Sequence, residues 1–266
     1  MLRRIREQEE QTVRRALRTA LEMETLFCAC CGRVHPLYFE GYMQTDAAGS
    51  VTGVLLRLFG VWYAHLAPDA DVQEVAAMLS MIAADAELCG EGASVCRIAA
   101  ALHLEMESVP FLRLRTAVSA RDARCVPAEG GAQLREVYEL IAKTGVFAMP
   151  EFEEFYLLRR TLIAKGLSRT RAIWKDGYIA ATASVLFESP DAAMLGMVAT
   201  DPACRGAGFA TALVAALCAE LCSESKQVYI ASYNPAALRI YERIGFVQIG
   251  EKGLLRLDAL RQEGRA

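Results

Sequence analysis

The chain has 266 residues, 54% of them hydrophobic, and a formal charge of -3 with a pI near 5.8. That composition excludes a disordered chain and supplies apolar material for one large core or two small ones. So small a net charge draws the chain neither to nucleic acid nor to an anionic membrane, and neither is expected as a partner.

The opening stretch is rich in arginine, but Glu7, Glu9 and Glu10 interrupt it and no apolar segment accompanies it. It reads as a solvated amphipathic helix rather than a signal peptide. The longest uncharged run, Gly206 to Ala219, falls short of the roughly 20 residues that a membrane span needs. Nine cysteines, an odd number without a secretion signal, fit reduced thiols, and a cytoplasmic location is expected. Cys28, Cys30 and Cys31 with His35 offer ligand chemistry, but structural zinc sites join such a group to a second pair at a distance. Buried or loop thiols are expected, and no metal.

In chain order, Leu2 to Met23 reads as a first helix. Leu37 to Thr45 and Val51 to Phe59 read as strands around the turn Asp46 to Ser50, and Val61 to Leu66 as a third. Asp69 or Asp71 is placed to cap a helix running to about Ala84, with Val72, Val75, Ala76 and Leu79 in helical spacing. Ser94 to Leu102 reads as a short helix, and Glu105 to Leu114 as a strand whose Pro110 assigns it to an edge. This part holds no glycine-rich turn between strand and helix, and His65, His103, Trp62 and Tyr63 read as structural. Thr116 to Gly131 is polar and built of small residues, which marks a boundary and gives domains 1–116 and 117–266.

After a first strand at Arg124 to Pro127, helices are expected over Ala132 to Lys143 and Pro150 to Lys165. Pro150, Glu151, Glu153 and Glu154 suit the first turn of the second. Thr170 to Trp174 and Tyr178 to Phe187 flank Lys175-Asp176-Gly177, a tight hairpin turn. Ala192 to Thr200 follows as a strand, Gly208 to about Ser223 as a helix and Gln227 to Ser232 as a strand. Asn234 and Pro235 then open a helix to Arg243, and Phe246 to Leu257 closes with one or two strands.

One stretch makes a joint demand on backbone geometry. In Met197 to Ala210, MVATDPACRGAGFA, an apolar run is broken by Asp201 and Pro202, and Arg205-Gly206-Ala207-Gly208 leads into a run of helix formers. Glycines let backbone N–H groups approach an anion, and the unpaired N–H groups of a first helical turn hold it. A pyrophosphate suits such a site. Cys204 beside it has no neighbouring histidine or second base and reads as a bystander.

ATDPACRGAGFATALV, followed downstream by NPAALRIYERIGF, resembles the two signature segments of the GNAT acetyltransferase superfamily, and the likeness covers roughly Asp122 to Leu257 in element order. It implies an α+β fold with a mixed, mostly antiparallel central sheet flanked by helices. The particular form resembles the subgroup in which a degenerate GNAT-like half precedes the working one, although the motif is absent from the first half.

By that resemblance, backbone N–H groups of Arg205, Gly206, Ala207, Gly208, Phe209 and Ala210 cradle the coenzyme A pyrophosphate. The strand Met197, Val198 and Ala199 pairs with the pantetheine amides, and a backbone N–H near Val198 or Ala199 polarises the thioester carbonyl. Asn234 contacts the cofactor arm, and Tyr241 protonates the departing thiolate. Acetyl-CoA is the implied cosubstrate, and the expected activity is direct N-acetylation of a small-molecule or peptide amine. A base must take the proton of an amine that is mostly protonated at neutral pH. The strand Ala192 to Ala199 has no acidic residue, so Glu188 just before it is the expected base, with Glu151, Glu154 and Tyr233 as alternatives. The rival reading is an acyl-CoA-binding or regulatory module without transfer. A nucleotide-binding protein fails on the missing P-loop and G-x-G-x-x-G motifs.

Overall fold

Short turns with the required chemistry set the strands in register. Asp46 closes one by accepting the Ser50 N–H at 2.8 Å, and Asp176 and Gly177 turn another with φ of 51° and 85°. The computed structural model describes residues 1–82, 86–119, 122–145 and 149–258. They form two compact units, one of Met1–Pro110 with the chain from Gly250 on, the other of Phe111–Ile249. The stretch from Gly250, expected with the second domain, therefore belongs to the first.

The first unit begins with β1 (Leu2–Arg4), a 3-10 turn at Glu7–Glu9, α1 (Glu10–Ala16) and α2 (Leu21–Cys30), where one helix from Leu2 to Met23 was expected. Pairing outweighs local propensity here. Leu2 to Arg4 lie antiparallel to Gln44 to Tyr42, and the Leu2 N–H donates to Glu74 at 2.7 Å. Next come β2 (Phe39–Thr45), β3 (Val51–Leu58), β4 (Val61–Leu66), α3 (Val72–Ile82), β5 (Glu87–Glu91) and α4 (Gly92–Leu102). The expected end of α3 near Ala84 lies outside the described residues. β5 was not expected: it is short, has an exposed glutamate at each end, and buries all of Leu88 to Gly90, so no alternation marks it as a strand.

The strand order is β1-β2-β3-β4-β5, completed by the end of β12 (Phe246–Arg256), whose Lys252 to Arg256 pair antiparallel with Glu91 to Glu87. Only β4 and β5 are parallel. Leu79 of α3 and Val95 and Ile98 of α4 pack with Leu55, Ala64, Leu88 and Leu255 in one apolar core. The half-buried Lys252 ammonium donates to the buried Glu22 of α2 at 2.5 Å, which compensates the desolvation of both charges.

The second unit takes Phe111 to Arg113 from β6 (Glu107–Leu114), which pair antiparallel with Ala231 to Tyr229. It continues with β7 (Val126–Pro127), α5 (Gly131–Thr144), α6 (Phe152–Ala164), β8 (Arg169–Lys175), β9 (Tyr178–Glu188) and β10 (Ala192–Thr200). A 3-10 turn (Pro202–Cys204), α7 (Phe209–Ser223), β11 (Gln227–Ala231) and α8 (Pro235–Ile244) follow. The order β7-β8-β9-β10-β11-β6 again has one parallel pair, β10 with β11. Both units thus have the mixed, mostly antiparallel sheet and flanking helices that were expected.

α7 and α8 bury Leu213, Val214, Leu217 and Tyr241 with Ile173, Ala183, Val185 and Leu195 of the sheet. Val137 and Ile141 of α5 and Phe155 of α6 pack in a separate cluster with Ala172, Ile179 and Ala199. Alternation along the strands sends these two sets of side chains to opposite faces. α8 starts and stops on local chemistry: the Asn234 side chain caps it, Pro235 sits in its first turn, and Gly245, at φ 111°, donates its N–H to the Tyr241 and Glu242 carbonyls.

Candidate active site

The site begins where two strands part. β10 and β11 run parallel from Ala192 beside Gln227 to Leu195 beside Ile230, and their pairing stops there. On the other side, Gly196 pairs with Ser184 and Ala199 with Thr182, so Met197 and Val198 together oppose a single residue of β9. This is a β-bulge, and it puts Met197 at φ 50°, in the left-handed region. The extra residue turns Met197 toward the α5 and α6 cluster and Val198 toward the α7 cluster. Beyond Leu195 the β11-facing edge of β10 is left without a strand, so its backbone groups are available for another extended chain.

β10 then feeds the glycine loop. The Asp201 N–H donates to the Ala180 carbonyl at 2.8 Å, and its carboxylate accepts the Ala203 N–H at 2.9 Å and the Lys143 ammonium at 2.7 Å. The ammonium and the Ala203 N–H hold that carboxyl below its ordinary range. Gly206 and Gly208 adopt φ of 81° and 78°, and open space lies where a Cβ would project from either. Gly208 stands at the N-cap of α7 with no side chain to fill it, and the first helical bond runs from the Ala212 N–H to the Gly208 carbonyl at 3.0 Å. The N–H groups of Phe209, Ala210 and Thr211 therefore face outward at the positive end of a 15-residue helix. Arg205 and Ala207 are exposed in the same loop, whereas Cys204 is buried with its sulfur 3.5 Å from the Tyr178 hydroxyl.

Asn234 spends its Oδ1 on the N–H groups of Ala236 and Ala237, at 2.9 and 3.4 Å, so capping accounts for that oxygen. Tyr241 is 3% exposed, its ring 6.0 Å from that of Phe246, and its hydroxyl makes no hydrogen bond with a described residue. Burial raises its pKa, which keeps the phenol protonated through the neutral range. The oxygen is not among the described side-chain polar atoms that are sealed from solvent without a partner, so the ring is buried while the hydroxyl keeps an opening to the outside.

Glu188 is misplaced for the expected base. It pairs with Ala193 near the start of β10, some five residues from the bulge, roughly 15 Å at the rise of an extended strand. Its carboxylate is also fully engaged: Arg169 donates through Nε at 2.9 Å and Nη2 at 2.6 Å, and Lys226 at 2.5 Å. Glu151 and Glu154 are exposed at the start of α6, and Tyr233 is 54% exposed. Two features had no local signal: the bulge, because Met197 and Val198 read as ordinary strand residues, and the ion pair of Lys143 with Asp201, whose partners lie 58 residues apart.

Residues 175–254 match the FR47-like protein family. No curated protein matches the chain. Among solved structures it is similar to a GNAT-family acetyltransferase from Colwellia psychrerythraea, at 14% identity and TM-score 0.60 over 96% of this chain and 99% of that one. It is similar to a GCN5-related N-acetyltransferase from Sphaerobacter thermophilus, at 14% identity and TM-score 0.62 over 96% and 94%. A tandem GNAT protein of the clavulanic acid biosynthesis pathway matches at 16% identity and TM-score 0.60 over 96% and 97%. At such identities the likeness is one of fold, and it runs along nearly the whole chain. The family match lies across the bulged strand, the uncapped helix and the tyrosine helix, and the fold along nearly the whole chain is the one those GNAT acetyltransferases have.

Proposed function

We propose that this protein is an N-acetyltransferase that moves an acetyl group from acetyl-CoA directly to a primary amine. The observation that carries this reading is the loss of β11 pairing after Leu195 on a strand that leads straight into an uncapped helix. An acyl-pantetheine arm has amides that pair with the open strand edge, and its pyrophosphate suits the N–H groups from Arg205 to Ala210. A backbone N–H at Val198 or Ala199 is the donor for the charge that builds on the thioester oxygen as the amine attacks. A fixed dipole of this kind is worth more in the transition state than in the ground state. As the carbon–sulfur bond breaks, the Tyr241 hydroxyl gives its proton to the departing sulfur, and Asn234 steadies the arm beside it. Glu188 is not assigned the base. The proton of the amine passes to solvent water at the open strand edge.

The test is thiol release from acetyl-CoA in the presence of a panel of amines, with Arg205→Glu as the control for the loop. Wild type should turn over at least one amine, and Arg205→Glu should bind coenzyme A at least about tenfold more weakly by calorimetry, because a carboxylate then faces the pyrophosphate. Equal binding would remove the loop from the donor site. A second reading, an acyl-CoA-binding module without transfer, draws on the engagement of Glu188 with Arg169 and Lys226. Coenzyme binding with no amine acetylated would favour it.

A further inference from the structure

A carboxylate at the mouth of an anion site is a contradiction that needs resolving. Asp201 is 5% exposed and opens the very loop whose N–H groups face the donor phosphates. It is held there by four contacts. Its N–H donates to Ala180, its carbonyl accepts the Cys204 N–H at 2.8 Å, Oδ1 accepts the Ala203 N–H, and Oδ2 accepts Lys143. These bonds shape the entry to the loop, so the negative charge comes with the geometry. Lys143 comes from the last turn of α5, on the face of the sheet opposite α7, and its side chain is 61% exposed. As a mere stabilising ion pair, so exposed a lysine would be worth little.

We infer that Lys143 is a determinant of donor binding: by neutralising Asp201 it makes the loop receptive to the phosphates, while Asp201 fixes the loop. Arg205 is a second cation that acts on the Asp201 carboxylate, and it lies in the loop itself. Without Lys143 that arginine would be shared between Asp201 and the ligand. This inference rests on the reading of the loop as the phosphate site of the donor, and it adds a lysine from outside the family's two motif segments.

The experiment compares wild type, Lys143→Met, Asp201→Asn and the double variant, with coenzyme A, inorganic pyrophosphate and pantetheine as probes, by calorimetry at low ionic strength. Asn at 201 keeps an oxygen for the Ala203 N–H, so the loop retains its shape while the charge goes. Lys143→Met should weaken coenzyme A and pyrophosphate about three- to tenfold, the order expected for one uncompensated charge near a dianion in partly screened surroundings. The double variant should recover most of that loss, and the difference should shrink as salt is added. Pantetheine, which has no phosphate, should bind all four alike. The melting temperature of Lys143→Met should stay within about 2 °C of wild type, as for an exposed pair. Unchanged affinity in Lys143→Met, or a double variant no tighter than the single, overturns the inference. The expected order with pyrophosphate but no binding of coenzyme A sustains it and instead removes the coenzyme from the proposed function. Wild type that binds neither overturns both.

Discussion

In the first unit β4 runs into α3, and in the second β10 runs into α7. Each strand is the one with a parallel neighbour, and each helix is the one that follows it in the chain. The two junctions are filled in opposite ways. β4 pairs without interruption with β3 from Val61 to Leu66 and keeps β5 beside it from Val61 to Ala64. The N–H groups of Gln73 and Glu74, at the start of α3, are taken by the Asp71 carboxylate at 3.1 Å. Arg97 holds the connection down by donating to the carbonyls of Ala67, Pro68 and Ala70, at 2.6, 3.1 and 3.1 Å. In the second unit the cap position is glycine, and the strand bulges and runs on to Thr200 after its neighbour stops at Leu195, whereas β4 ends at Leu66, soon after Ala64. The parallel strand pair is common to both. What differs is the bulge, the length of strand edge left unpaired, and one empty cap.

The largest effect should come from the group that only the second unit has. α4 carries no tyrosine, whereas α8 carries Tyr241. Tyr241→Phe should lower kcat by about a hundredfold or more, the usual range for losing a general acid, while coenzyme A affinity changes less than twofold. Single-turnover thiol release checks this, and unchanged turnover would take the acid role from Tyr241. Next in size is the transplant of the first unit's arrangement into the second. Gly208→Asp puts a carboxylate where α3 has one and should weaken coenzyme A about tenfold or more. Gly208→Ala serves as the control, since at φ 78° any Cβ costs about 1 kcal/mol while only Asp adds charge. If the two variants bind alike, backbone strain rather than charge explains the loss. The reverse change, Asp71→Ala, should lower stability by about 1 kcal/mol in denaturant melts, the worth of an N-cap, and leave coenzyme binding where it was.

Local chemistry made much of this legible. Asp176-Gly177 fixed the β8–β9 hairpin, the run after Gly208 gave α7, and Asn234-Pro235 with Gly245 gave both ends of α8. What escaped depends on partners distant in sequence. Leu2 to Arg4 are compatible with a helix until β2 offers an edge, and Lys252 to Arg256 read as the end of the second domain until they pair with β5. Within the site, the loop and the tyrosine are properties of a few adjacent residues. The bulge instead depends on how β9 counts against β10, which no single strand records. Glu188 is next to β10 in sequence, but the strand leads away from it toward the bulge and the glycine loop.

The same strand pair therefore has a closed end and an open one, and charge is used differently at each. At the closed end Glu188, Arg169, Lys226 and Glu224 form a network, with Arg169 bonded to Glu224 at 2.8 and 2.9 Å. The Arg169 hydrogen bonds hold the Glu224 carboxyl down to about 2, well below its ordinary value. A depressed folded-state pKa means that the stabilisation is present above the unfolded value and is lost as pH falls toward the folded one. Glu224→Gln should therefore be less stable than wild type at neutral pH, and the gap should close between about pH 4.5 and pH 2. Because Glu224 is 40% exposed, the gap should be only about 1 kcal/mol or less. Denaturant melts across that range read the stability, and calorimetry with coenzyme A at neutral pH reads the open end, which this variant should leave unchanged. A Glu224→Gln protein that lost coenzyme affinity would mean that the two ends are coupled through β10 and that the closed end sets the geometry of the bulge.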